Sequence, residues 1–125
     1  MQYYDVFVYG TLRKGGIYHD LLRNAVLKHE KYRLPGYCLY DFQRWYPFLV
    51  RATSQDVVVG EIYTNDESML QELHVLEDIE GELYRFLHLP EHACYVYEKF
   101  DLDLQDLQLI PSGDWIQYIS ELQQT

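Results

Sequence analysis

The longest uninterrupted apolar run near the start of the chain is Val6-Phe7-Val8, and it stops abruptly at Tyr9-Gly10. Continuous rather than alternating apolar residues predict a strand from Asp5 to Tyr9 that is covered on both faces and so central in its sheet. The loop Gly10-Thr11-Leu12-Arg13-Lys14-Gly15-Gly16 follows, after which Ile17, Leu21, Leu22, Ala25 and Val26 recur at helical spacing. That spacing predicts a helix from about Ile17 to Lys28. Pro35-Gly36 marks a turn, and Gly36 to Phe42 reads as a strand. Tyr46-Pro47 breaks the pattern before a short strand, Phe48-Leu49-Val50. Thr53 to Asp56 is a polar turn. Val57 to Tyr63 is the next strong strand, with Gly60 inside it as a sign of a bulge or of close backbone approach.

Thr64-Asn65-Asp66-Glu67 fits a helix capping box with Thr64 or Asn65 as the cap. Met69, Leu70, Leu73 and Leu76 then form an apolar stripe for a helix ending near Glu77. An acidic turn, Glu77 to Glu82, separates it from a strand at Leu83 to Leu89 and a tyrosine-rich strand at Ala93 to Phe100. After a polar connection from Asp101 to Asp106, Leu107 to Ile110 reads as a short edge strand. Trp115, Tyr118, Ile119 and Leu122 have the spacing of a short C-terminal helix. Strands outnumber helices and do not alternate strictly with them, which predicts an α+β fold with a mixed sheet. Periodicity leaves open whether that sheet closes on itself.

Composition narrows the partners rather than the fold. A chain of 125 residues suits one domain, 1–125, and 48% hydrophobic residues can supply a core without staples. The 13 tyrosines suit half-buried strands and can also line a pocket with hydroxyls. A formal net charge of -10 opposes binding to nucleic acid and to anionic membranes. No stretch approaches the roughly 20 apolar residues of a membrane span, and Met1-Gln2-Tyr3-Tyr4-Asp5 does not resemble a secretory leader. Cys38 and Cys94 lie far apart and match no metal spacing, so they read as reduced thiols of a cytoplasmic protein.

The loop after the first strand carries the first candidate chemistry. Gly10 and Gly15 satisfy half of a P-loop, but Gly16-Ile17 stands where lysine and a hydroxyl residue are needed. The glycine spacing also fails a dinucleotide fingerprint. What remains is a turn whose backbone N–H groups can converge on a small anion such as a carboxylate. Arg13 and Lys14, as long side chains on a loop, are read as solvent-facing and as attracting anions from a distance. His19 reads as a hydrogen-bonded structural residue, and Asp20 as a charge at a helix start. The five histidines are scattered, so no metal site is expected. The one dense cluster of ionisable groups is Glu77, Asp78, Glu80 and Glu82, which from local pattern is either a solvated turn or a catalytic carboxylate group.

Phe7-Val8-Tyr9-Gly10-Thr11-Leu12 resembles the signature of the gamma-glutamylcyclotransferase-like (AIG2-like) family, which includes the gamma-glutamylamine cyclotransferases. The resemblance continues in order through Leu34-Pro35-Gly36-Tyr37, Tyr46-Pro47-Phe48-Leu49-Val50, Val59-Gly60-Glu61-Ile62-Tyr63 and Leu76-Glu77-Asp78-Ile79-Glu80-Gly81. It ends with Tyr95-Val96-Tyr97 and Ile110-Pro111-Ser112-Gly113-Asp114-Trp115. It implies a small mixed β-barrel with flanking helices and a pocket at one rim. It also implies conversion of a small γ-glutamyl amine or amino acid to 5-oxoproline and a free amine, with no cofactor.

By the family pattern Glu80 is the proton-transfer residue, with Glu82 as runner-up. Glu77 stands where that pattern usually has Asp, and Tyr84-Arg85 are adjacent where the family often has one residue between them. Tyr9, Gly10, Thr11, Leu12 and Tyr84 are the expected substrate-binding residues. Two further readings remain at this stage: a non-catalytic small-molecule-binding or regulatory domain, and an enzyme that removes a γ-glutamyl group from a larger acylated product. The amine and the oligomeric state are open.

Overall fold

The computed structural model describes residues 2–77, 84–99, 104–105 and 107–123. Eight strands and two α-helices are formed among them: β1 (Tyr3–Val8), β2 (Val26–Pro35), β3 (Tyr37–Phe42), β4 (Tyr46–Arg51), β5 (Val57–Asp66), α1 (Glu67–Leu76), β6 (Arg85–Leu89), β7 (Cys94–Glu98), β8 (Gln108–Ile110) and α2 (Trp115–Leu122). A five-stranded sheet has the order β2-β5-β1-β7-β6, and a three-stranded sheet the order β4-β3-β8. Only the β1–β7 pairing is parallel, and the others are antiparallel.

The apolar run of β1 lies at the centre of the larger sheet because both faces of that sheet are covered. Phe7 packs in one core with Leu34, Leu39, Leu49, Ile62, Val96, Ile110 and Trp115, between the two sheets and under α2. Val6 and Val8 face the other way, into a second core with Leu12, Leu22, Tyr63, Tyr97 and the α1 residues Leu70 and Leu73. Gly60 of β5 sits beside β1, where a Cβ would collide with the Val8 carbonyl and the Phe7 ring. Close approach, one of the two readings of a glycine in a strand, is what this position requires.

The mixed α+β fold agrees with the sequence pattern. The described hydrogen-bond ladders form two sheets and do not close into a barrel; the apolar layer between the sheets does the enclosing instead. One element differs outright. The helix expected from Ile17 to Lys28 is a single 3₁₀ turn, His19–Leu22, followed by β2. The helical spacing assigned Ile17 and Val26 to a buried face, yet they are 74% and 65% exposed. With both ends of that face in solvent and only Leu21, Leu22 and Ala25 packed on the core, a short helix is marginal in water. Pairing with β5 takes up the last residues of the segment, from Val26 on, and two register shifts along that pairing give β2 the irregular form common at sheet edges.

Smaller differences follow the same logic. The cap of α1 is Asp66, whose Oδ1 accepts the Met69 N–H at 2.9 Å, rather than Thr64 or Asn65. Those two residues extend β5 and pair with β1. Pro47, expected to break a strand, lies within β4, which is an edge strand where a missing N–H costs little. The C-terminal helix begins at a capping Asp114, which accepts the Gln117 N–H at 3.1 Å.

Candidate functional site

Chain direction places the end of β1, the loop after it and the end of α1 around one cavity of about 290 Å³. Gly10 to Arg13 form a turn closed by the Arg13 N–H donating to the Gly10 carbonyl at 3.0 Å. Thr11 and Leu12 are the central residues of that turn, and among the described residues no acceptor takes up their N–H groups. Gly10 is needed for close approach: a Cβ there would lie 2.6 Å from Cγ and Cδ of Pro47. Its backbone has no positive φ, so conformational freedom is not the reason for glycine.

The loop is held from behind by a buried charge cluster. Arg13 is only 7% exposed, so it is not the solvent-facing side chain expected of it. Its Nε donates to Oε2 of Glu61 at 2.5 Å and a terminal nitrogen donates to Oδ1 of Asp114 at 2.8 Å. Oε1 of Glu61 accepts the Lys14 N–H at 2.9 Å. One guanidinium therefore ties the loop to β5 and to the cap of α2, using two carboxylates to offset its burial. His19 has the structural role expected of it, with Nδ1 2.9 Å from the Leu12 carbonyl oxygen.

The rest of the described cavity lining is mostly aromatic, with one acid. Tyr9, Gly10, Thr11, Leu12 and Tyr84, the residues expected to touch substrate, all line this cavity. Tyr46, Pro47, Tyr97 and Glu77 line it as well. Their motifs were visible in the sequence, but nothing in the local pattern separated a pocket tyrosine from a core tyrosine. The Tyr9 hydroxyl donates to the Tyr97 carbonyl at 2.6 Å, and the Tyr97 hydroxyl lies 2.8 Å from Nδ1 of His74. Burial raises the pKa of Tyr9, Tyr46, Tyr84 and Tyr97, and the nearby Glu77 charge adds to the effect on each. All are therefore neutral phenols at physiological pH.

Glu77 closes α1, with its N–H on the Leu73 carbonyl at 2.9 Å, and its side chain is half-buried on the cavity wall. Burial alone pushes its carboxyl up to about 7. A solvated acidic turn does not describe this residue. Glu80 and Glu82 lie outside the described residues, as do Asp78 and Gly81. Among the described residues no group of His, Cys, Asp and Glu side chains is arranged to hold a metal ion. The two cysteines are free thiols, and burial pushes Cys94 up to about 11. Among the described residues no helix is long and apolar enough to cross a membrane.

Comparison with known proteins places this geometry in context. The profile of the family described as "Gamma-glutamyl cyclotransferase, AIG2-like" matches residues 6–117. A Vibrio cholerae protein with a provisional gamma-glutamylcyclotransferase name is 37% identical over 115 residues, covering 91% of this chain and 96% of that one. The Escherichia coli family protein YtfP is 34% identical over 113 residues, covering 89% and 95%. The solution structure of YtfP superposes with a TM-score of 0.67 over 91% of this chain and 97% of that one, at 32% identity. The crystal structure of an uncharacterised Pyrococcus horikoshii protein gives a TM-score of 0.77 at 25% identity, over 97% of each chain.

Proposed function

Because the chain belongs to the gamma-glutamyl cyclotransferase, AIG2-like family, we propose that it converts a γ-glutamyl amine or γ-glutamyl amino acid to 5-oxoproline and the free amine. The observation that carries this reading is the cavity itself. Among the described residues, Thr11 and Leu12, whose N–H groups no acceptor takes up, line it together with neutral tyrosines and one carboxylate. At about 290 Å³ the space is at the lower end of the roughly 300–1,000 Å³ of small-molecule sites, which suits an amino-acid-sized head group.

In the proposed reaction the substrate's α-amine attacks its own γ-carbonyl carbon. The new C–N bond closes the five-membered ring, the original amide C–N bond breaks, and the departing amine takes up a proton. Nucleophile and electrophile are on one molecule, so holding the chain curled supplies much of the rate. The turn at Gly10–Leu12 would anchor the α-carboxylate, with the Thr11 hydroxyl beside it. Tyr9 and Tyr84 would border the glutamyl chain. Glu80, at the family's glutamate position, would accept the proton lost by the α-ammonium and return it to the leaving amine. No metal or organic cofactor has a task in this scheme.

The test is a panel of γ-glutamyl amines, γ-glutamyl dipeptides and glutathione, with release of 5-oxoproline as the readout. Turnover of at least one member is expected. Glu80→Gln should reduce it by about two to four orders of magnitude, the usual range for lost acid–base catalysis, while leaving thermal stability nearly unchanged. A protein that binds members of the panel without releasing 5-oxoproline would be a binding domain instead.

A further inference from the structure

Glu77 has no task in the scheme above, yet its position is unusual. Among the described residues that line the cavity it is the one formal charge. Arg13 of the loop is engaged by Glu61 and Asp114. Among the described residues the Glu77 carboxylate makes neither an ion pair nor a hydrogen bond. A carboxylate in such a place has two ways to avoid the cost of burial: it holds a proton, or it meets a cation brought by a guest.

We propose that Glu77 is the acceptor for the α-ammonium of the ligand, so that the cavity recognises a zwitterionic α-amino-acid head group, with its carboxylate on the Thr11–Leu12 turn and its ammonium on Glu77. The assignment rests on the cyclotransferase reading for its substrate, but the recognition itself needs only that the Thr11–Leu12 turn and Glu77 line the same cavity. It makes Glu77 a specificity residue: a γ-linked acid without an α-ammonium would lose the partner that keeps this carboxylate charged.

The proposal carries a pH signature. Near neutrality the empty site is partly protonated at Glu77, because burial holds its carboxyl at about 7. An incoming ammonium favours the ionised form, so below that pH binding must expel a proton and weakens by up to about tenfold per pH unit. Among the described residues the titratable groups that line the cavity with Glu77 are tyrosines. Tyr9 after β1, Tyr46 on β4, Tyr97 on β7 and Tyr84 are all held neutral by burial, and Tyr18 lines the cavity as well. His74 on α1, whose Nδ1 lies 2.8 Å from the Tyr97 hydroxyl, is held below its ordinary value by burial.

Two probes that differ only in the α-ammonium, L-glutamate and glutarate, separate the outcomes in calorimetric titrations between about pH 5.5 and 8.5. For the native protein, L-glutamate affinity should rise towards a plateau above about pH 7, whereas glutarate affinity should stay level or fall. Glu77→Gln should flatten the L-glutamate profile and weaken binding at least tenfold on the plateau, and Glu77→Asp should retain the rise. If Glu77→Gln does not fold, the midpoint of the native Glu77 carboxyl carbon resonance decides, since L-glutamate and not glutarate should lower it. An unaltered L-glutamate profile in Glu77→Gln, or identical profiles for the two probes, overturns the assignment. Release of 5-oxoproline together with a flat L-glutamate profile overturns this inference alone. Absence of both release and L-glutamate binding overturns the cyclotransferase reading with it.

Discussion

Two charged side chains show how far neighbours decide what a residue does. Arg13 has the composition of a solvent-facing loop cation, but Glu61 and Asp114 convert it into a buried fastening for the loop. Glu77 has the composition of a solvated turn acid, but the end of α1 leaves it on a cavity wall with no described cation beside it. The second case has a measurable consequence without any ligand. Its carboxyl stands at about 7 in the folded chain, above the ordinary value of 4.5. Between those two pH values the folded state binds more protons than the unfolded state, so stability falls as pH rises through this window. Relative to Glu77→Gln, the native protein should lose up to about 3 kcal/mol between pH 4.5 and 7.5 in urea titrations. Parallel curves for the two proteins would show that Glu77 ionises freely.

At the level of elements, the same apolar spacing can serve more than one structure. Ile17 to Lys28 has a helical rhythm, but only Leu21, Leu22 and Ala25 find apolar neighbours, around a 3₁₀ turn, and β5 offers a backbone ladder from Val26 on. The start of α2 is fixed more firmly, because Asp114 does two things there. Its Oδ1 caps the helix through the Gln117 N–H and also accepts from Arg13. Asp114→Asn keeps a cap acceptor and removes the charge, whereas Asp114→Ala removes both. Loss of the cap alone costs about 1 kcal/mol, so the alanine variant should be less stable than the asparagine variant by about that amount in thermal or urea unfolding. Equal losses would mean that the ion pair, not the cap, holds this end of α2.

For the molecule as a whole, β1 is the shared structure. It contributes Phe7 to one core and Val6 and Val8 to the other, and it delivers the Gly10–Leu12 turn to the cavity. Damage to its contact with β5 should therefore reach both cores and the site together. Gly60→Ala would place a Cβ against the Val8 carbonyl and the Phe7 ring. Overpacking of this kind typically costs about 1–3 kcal/mol. In native-state hydrogen exchange the slowest amides should belong to β1 and β5, with the exposed edge strand β2 exchanging faster. In Gly60→Ala the protection of β1 and β7 should fall together; a loss confined to β5 would show that β1 does not couple the two cores.

The sequence by itself determined where a centrally placed strand, its following turn, a capped helix and the tyrosine-rich strands would lie. Each of these depends on short-range chemistry: an apolar run, a glycine that stops it, a side chain that caps the next N–H groups. The ordered motifs also pointed to the family. Tertiary structure alone decided that Ile17 to Lys28 would not be a helix, because the competing pairings at its end, Val26 with Thr64 and Leu27 with Tyr63, come from β5, more than thirty residues away in sequence. It alone decided that the strands would form two sheets rather than one closed ladder, since closure depends on which edges meet. It also brought Tyr9, the Thr11–Leu12 turn, Tyr46, Glu77, Tyr84 and Tyr97 around a single space. No local pattern carries that information, because burial and ion pairing, which set the charge and direction of Arg13 and Glu77, are properties of residues that are distant along the chain and adjacent only after folding.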